Sequence, residues 1–119
     1  MPTVTYAVLN YTISLHRPLA WNLGGQGVVN VASILCTGDS DHRLLVGFQP
    51  QGEAPGANYY NAGNKTAYLI RSQSEFQWYV DLLRNEKPIY AHINEDNPAF
   101  IFLNSGPEPV GEGELRLPR

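Results

Sequence analysis

Only one window of this chain carries the periodicity of a buried helical face, and it limits what the rest can fold into. Phe76, Tyr79, Val80 and Leu83 recur at i, i+3, i+4 and i+7, which puts them on one side of an α-helix. Ser72, followed three residues later by Glu75, predicts a capping box: the hydroxyl accepts from the Glu75 N–H and the carboxylate returns to the Ser72 N–H. Pro88 ends the helix, because the residue before a proline avoids the α region. The flanks are β-type. Residues 66–71 read as a strand, and 89–93 and 99–103 as two more, joined by the turn-forming run Asn94-Glu95-Asp96-Asn97-Pro98 into a hairpin.

The remainder is β-patterned. In residues 3–15 the apolar positions change parity once, from Val4, Tyr6 and Val8 to Leu9, Tyr11, Ile13 and Leu15, which predicts a β-bulge or burial on both faces. His16-Arg17-Pro18 closes this strand, and 19–27 reads as a glycine-containing loop. Residues 28–35 and 42–48 form a second hairpin around the Gly/Asp/Ser-rich turn at 36–41. A 17-residue loop, 49–65, follows, pinned by Tyr59 and Tyr60, which are also the side chains it would offer to a ligand. Six strands and one helix give an α+β fold: a curved, mostly antiparallel sheet of about six strands with one helix packed on its concave face. The connection 72–88 is long enough to join parallel strands, and would then be right-handed. A chain of 119 residues makes one domain, here 1–105, with 106–119 as an extended or disordered tail.

Charge and composition exclude several functions. The net charge is −3 and the eight basic residues are scattered, so there is no positive footprint for nucleic acid or for an anionic membrane surface. No apolar run approaches the roughly 18 residues of a membrane helix, and the N-terminus lacks the pattern of a signal peptide. The single cysteine, Cys36, has no internal partner. These features lead us to expect a cytoplasmic protein.

Candidate chemistry is sparse. Cys36 and His42, with Asp39 or Asp41 behind the imidazole, could form a nucleophile–base pair, but nothing nearby lowers a thiol pKa. His16, His42 and His92 fall in no metal-ligand spacing, and His92, mid-strand, reads as a hydrogen-bonded structural histidine. Glu95 and Asp96 are adjacent carboxylates expected to face solvent in a turn. Gly24-Gly25-Gln26 is similar to the tripeptide of peptide release factors, yet without basic segments to grip RNA it reads as a turn before a strand. No catalytic residue, metal or cofactor is therefore assigned.

Leu82-Leu83-Arg84-Asn85-Glu86-Lys87-Pro88-Ile89, with Ser105-Gly106-Pro107-Glu108-Pro109-Val110-Gly111-Glu112 further on, resembles a group of short uncharacterised bacterial proteins. The resemblance covers the last third of the chain and implies a bacterial source but no activity.

One feature of the helix points outward. On a helical wheel Trp78 and Leu82 widen the apolar sector to about 200°, twice what one sheet covers. Either a loop of the same chain or a second chain covers them. The reading is a small non-catalytic interaction protein, a homodimer or a multiple of one, with Trp78 and Leu82 in the interface and either itself or another protein as partner. The alternative is a small-molecule binding domain or compact enzyme with an apolar pocket between helix and sheet, walled by Tyr6, Tyr11, Tyr68, Tyr90, Phe100 and Phe102.

Overall fold

The computed structural model describes residues 3–106; the remainder of the expected tail, 107–119, lies outside them. Seven strands and one helix follow in order: β1 (Thr3–Leu23), β2 (Gln26–Gly38), β3 (Arg43–Gln49), β4 (Tyr59–Asn61), β5 (Thr66–Ser72), α1 (Phe76–Asn85), β6 (Ile89–Asn94) and β7 (Ile101–Ser105). They form one open sheet in the order β4-β5-β3-β2-β1-β6-β7. The fold is α+β, with a curved sheet and a single helix on it. β4 is one strand more than the sequence predicts, drawn out of the 49–65 loop by antiparallel pairing with β5.

β3 and β5 are parallel neighbours and every other pairing is antiparallel. The single parallel pair is therefore not the one flanking the helix. Three strands lie between β5 and β6, so α1 carries the chain across the sheet instead of joining two adjacent parallel strands. Both expected hairpins form, β2 with β3 and β6 with β7. The latter opens with a 3₁₀ turn over Pro98–Phe100, capped by the Asn97 side chain, so β7 begins at Ile101 and not at residue 99.

Residues 19–27 are not a loop. β1 runs on to Leu23 and turns back through Gly24 and Gly25, with φ of 62° and 95°, into β2 at Gln26. Two residues with positive φ suit a tight hairpin whose twist matches the strands. The parity change in β1 is a bulge: Val8 faces Gly38 while Asn10 faces Thr37, leaving Leu9 extra. A second irregularity lies between Leu15 and Leu19, at His16-Arg17-Pro18. The expectation that His16-Arg17-Pro18 closes the strand is not met: the register shifts there, but β1 continues to Leu23.

The main core lies between sheet and helix. Ile34, Leu44, Val46, Phe48, Ile93 and Ala91 are all fully buried. Val80 and Leu83 close over them from α1. Phe48 meets Phe76 and Tyr79 edge-on, with ring centroids 5.1 and 5.6 Å away. A smaller cluster joins Leu23, Val28 and Ile70 with Trp21, Tyr59 and Tyr68. Successive side chains on a strand face opposite ways; Tyr68 and Ile70 therefore lie on the face of β5 away from Ala67 and Leu69, which belong to the main core. The tip of the β1–β2 hairpin thus packs on the side away from the helix. Trp21 lies against Gly47, where a Cβ would come within 2.6 Å of its ring.

Candidate interaction surface

The polar residues singled out in the sequence are mostly engaged in holding the fold. Cys36 and His42 do not form a pair. The thiol is fully buried, and burial pushes its pKa up to about 12, the opposite of an activated nucleophile. His42 instead turns to Glu95: Nε2 lies 2.8 Å from Oε2, and Tyr60 donates its hydroxyl to the same oxygen at 3.1 Å while stacking on the imidazole. His42 and Tyr60 hold the Glu95 carboxyl below its ordinary range, His42 contributing most. Glu95 is thus only partly exposed, not a free solvent carboxylate like its exposed neighbour Asp96. The sequence pattern missed this because its partners lie 53 and 35 residues away.

Ser40 Oγ accepts from the His42 backbone N–H at 3.1 Å and lies 3.4 Å from its Nδ1. The row of Ser40, His42 and Glu95 ties the β2–β3 turn to the β6–β7 turn. Asp39 accepts from the Ala7 N–H, and Asp41 faces Lys65 at 3.7 Å. His92 bridges Thr5 and Asn104 and stacks on Phe102, the structural role expected of it. His16 lies near the backbone carbonyl of Arg17. Among the described residues no group of three His, Cys, Asp or Glu side chains could hold a metal ion, and no helix is long and apolar enough to cross a membrane.

The capping box forms by half. Ser72 caps a 3₁₀ turn by accepting from the Ser74 N–H. Glu75 does not reach back; it takes a two-point contact from the Arg71 guanidinium at 2.8 and 2.9 Å, a stronger match for a carboxylate than one backbone N–H.

Tyr59 and Tyr60 both sit in β4. Tyr59 lies under the hairpin tip, where a Cβ on Gly24 would fall 2.6 Å from its ring, and Tyr60 is held by Glu95. Gln26 bonds the Ala57 backbone through both ends of its amide, fastening the 50–58 segment. Of the strand aromatics expected to line a pocket, Tyr6 alone is fully in the core, its hydroxyl donating to the Cys36 carbonyl at 2.6 Å. Tyr68 belongs to the second cluster and Tyr90 is half-buried. Tyr11, Phe100 and Phe102 are exposed: Phe100 falls in the 3₁₀ turn, and Phe102 alternates outward between Ile101 and Leu103. Over β3 the space between helix and sheet is filled by Phe48, Phe76 and Tyr79.

What remains open is apolar surface. Trp78 is 68% exposed, and neither the 19–27 segment nor the 49–65 segment covers it. With Tyr79, Leu82 and Leu103 it borders a shallow depression of about 250 Å³. A second surface lies on β1, where Leu9, Tyr11, Ile13, Leu15 and Leu19 are all exposed. β6 pairs only with residues 3–7 of this strand, and β2 occupies the other side. From residue 9 onward, one edge of β1 has no partner among the described residues. An open groove of about 310 Å³ runs beside it, walled by Val8, Leu9 and Tyr11 on one side and Leu83, Lys87 and Pro88 on the other. Comparisons with protein families, with curated proteins and with solved structures found no match for this chain.

Proposed function

We propose that this chain is a small non-catalytic interaction protein that works in the cytoplasm as a homo-oligomer. The observation that carries this reading is the unpaired, apolar edge of β1, where five large hydrophobic side chains on one strand are exposed. Natural sheets protect such edges with charges, prolines or covering segments, and contiguous exposed apolar patches mark contact surfaces. The Trp78–Leu82–Leu103 depression on the far flank of α1 is a second contact face, and tryptophan is a frequent interface anchor. The reactive side chains give this reading further support: Cys36 is buried, and His42, Glu95 and His92 are committed to structural contacts. The molar mass of the native chain by light scattering tests it. A mass at least twice 13.2 kDa is expected; a chain that stays monomeric at high concentration refutes self-assembly.

A further inference from the structure

We propose that two copies of this chain join edge to edge through β1, residues 9–15 of each running antiparallel about a two-fold axis at Thr12, so that two seven-stranded sheets become one. This rests on the reading of the chain as a self-assembling protein and specifies how it assembles.

The segment Leu9-Asn10-Tyr11-Thr12-Ile13-Ser14-Leu15 is set apart by the two register shifts of β1, at Val8/Asn10 and at Leu15/Leu19. From Asn10 to Leu15 the ladder with β2 is regular, with Leu9 the extra residue of the bulge at its start, so most of the free edge is straight enough to accept another strand. It carries no charge, proline or glycine, the usual protections of an exposed edge. A neutral edge can pair with its own copy without setting like charges across or near the axis.

The pattern is also self-complementary. Reversed about Thr12, Leu9 falls opposite Leu15, Tyr11 opposite Ile13, Asn10 opposite Ser14, and Thr12 opposite itself. Apolar meets apolar on one face and polar meets polar on the other, the cross-strand matching that stabilises antiparallel pairs. Tyr11, Ile13 and Leu15 lie directly opposite Cys36, Ile34 and Ala32 of β2, which are core residues. The apolar row therefore shares the helix side of the sheet. The partner's copy of Leu15 arrives beside Leu9, at the mouth of the groove between β1 and Lys87-Pro88. A two-fold contact uses the same edge on both copies, so assembly through it closes at the dimer. Seven residues a side fall short of the 20–30 in a standard interface, and the dimer should dissociate at concentrations on the order of micromolar.

The test uses the full chain and reads both mass and register. Wild-type protein should move toward twice 13.2 kDa as its concentration rises. Thr12→Cys places two thiols directly across the axis, within disulfide reach. Mild oxidation should link it into a covalent dimer, while Ser14→Cys, facing Asn10 of the other copy, should link far less. Cys36 is buried and does not compete. The double change Leu9→Glu with Leu15→Glu sets like charges opposite one another and should weaken association at least tenfold. Leu9→Glu with Leu15→Lys sets opposite charges there and should restore most of it in low salt. Both positions are mostly exposed, so the variants should keep the wild-type circular dichroism. A wild-type dimer that links equally well through Ser14→Cys, or that is broken by Trp78→Ser with Leu82→Gln and not by the Leu9/Leu15 changes, overturns the β1 pairing and leaves self-assembly standing. A wild-type chain that stays at 13.2 kDa to about 500 μM overturns both.

Discussion

Replacing Phe48 by alanine should cost more stability than any other single truncation in the sheet. Phe48 is among the largest fully buried side chains, and two rings of α1 rest on it edge-on, Phe76 at 5.1 Å and Tyr79 at 5.6 Å. Truncating a buried phenylalanine typically costs about 3–5 kcal/mol in lost transfer energy and cavity. Each edge-to-face pair adds about 0.5–1.5 kcal/mol beyond burial, which places this site near the upper end, at about 5 kcal/mol. A domain of this size commonly has only about 5–15 kcal/mol in total, so Phe48→Ala should lower the melting temperature by about 15–20 °C or leave the chain partly unfolded. Circular dichroism melts give the size of the loss. A cycle of Phe48→Leu, Tyr79→Leu and the double change isolates the ring–ring share, expected at about 0.5–1.5 kcal/mol. A fall of less than about 5 °C for Phe48→Ala would mean that the helix is not seated on β3 as described.

Three further outcomes follow from the same contacts. Because His42 and Tyr60 depress the Glu95 carboxyl, its stabilisation is present above the ordinary carboxyl range near pH 4.5 and is lost as pH falls through the lower folded value. Glu95→Gln should therefore lower the melting temperature at neutral pH and converge on wild type in acid, and parallel curves for the two proteins would contradict this. Cys36, buried and with its thiol pushed up to about 12, should react with an exposed-thiol reagent at pH 8 only as the protein opens; rapid labelling without denaturant would rule out the described burial. Gly47→Ala should destabilise by about 1–3 kcal/mol, since its methyl would sit 2.6 Å from the Trp21 ring and 2.8 Å from the Asn30 side-chain oxygen, and an unchanged denaturant midpoint would show that the hairpin tip does not lie on β3.

The parts of the fold that the sequence made legible are those fixed by neighbours a few residues away. The helix stripe from Phe76 to Leu83, the two hairpins and the β1 bulge all rest on local periodicity or turn chemistry, and all are present. What escaped was decided by distant partners. Residues 19–23 look like a loop because Trp21 and Leu23 lack a simple alternating pattern, yet they pair with residues 26–30 of β2, and Trp21 and Leu23 pack with Tyr59, Tyr68 and Ile70. β4 is only three residues and exists because β5 offers it an edge. Glu75 has a capping-box spacing, but a guanidinium four residues earlier outcompetes the backbone. The Glu95 contact with His42 and Tyr60 depends on the two turns meeting in space, which no spacing rule encodes.

The open edge of β1 follows from how few elements are available to cover it. One extra residue at Leu9 shifts the parity of the strand, and this keeps Tyr11, Ile13 and Leu15 on the same side as Tyr6 instead of sending them to the far face. Such a device is useful only if that side is to be buried. The described residues form one α-helix, of ten residues, and it is spent over β3 and the middle of the sheet, where Phe48 receives Phe76 and Tyr79. Its C-terminal end, at Leu83, reaches the start of the row and stops. β6 pairs with residues 3–7 and goes no further. The sequence thus aligns an apolar row with the core and provides no described element to cover it. Without the bulge, the same residues would lie on the opposite face, and Asn10, Thr12 and Ser14 would adjoin the groove. Deleting Leu9 is a different change: Val8 opposite Gly38 and Asn10 opposite Thr37 become successive pairs of a regular ladder, so Tyr11, Ile13 and Leu15 keep their face and only the Leu9–Leu15 contacts of the proposed pairing are lost. By that pairing, association of the deletion variant should weaken but persist, and Thr12→Cys in its background should still link two copies on mild oxidation. A deletion variant that folds but no longer links through Thr12→Cys would show that the bulge itself, and not the row it aligns with the core, governs the contact.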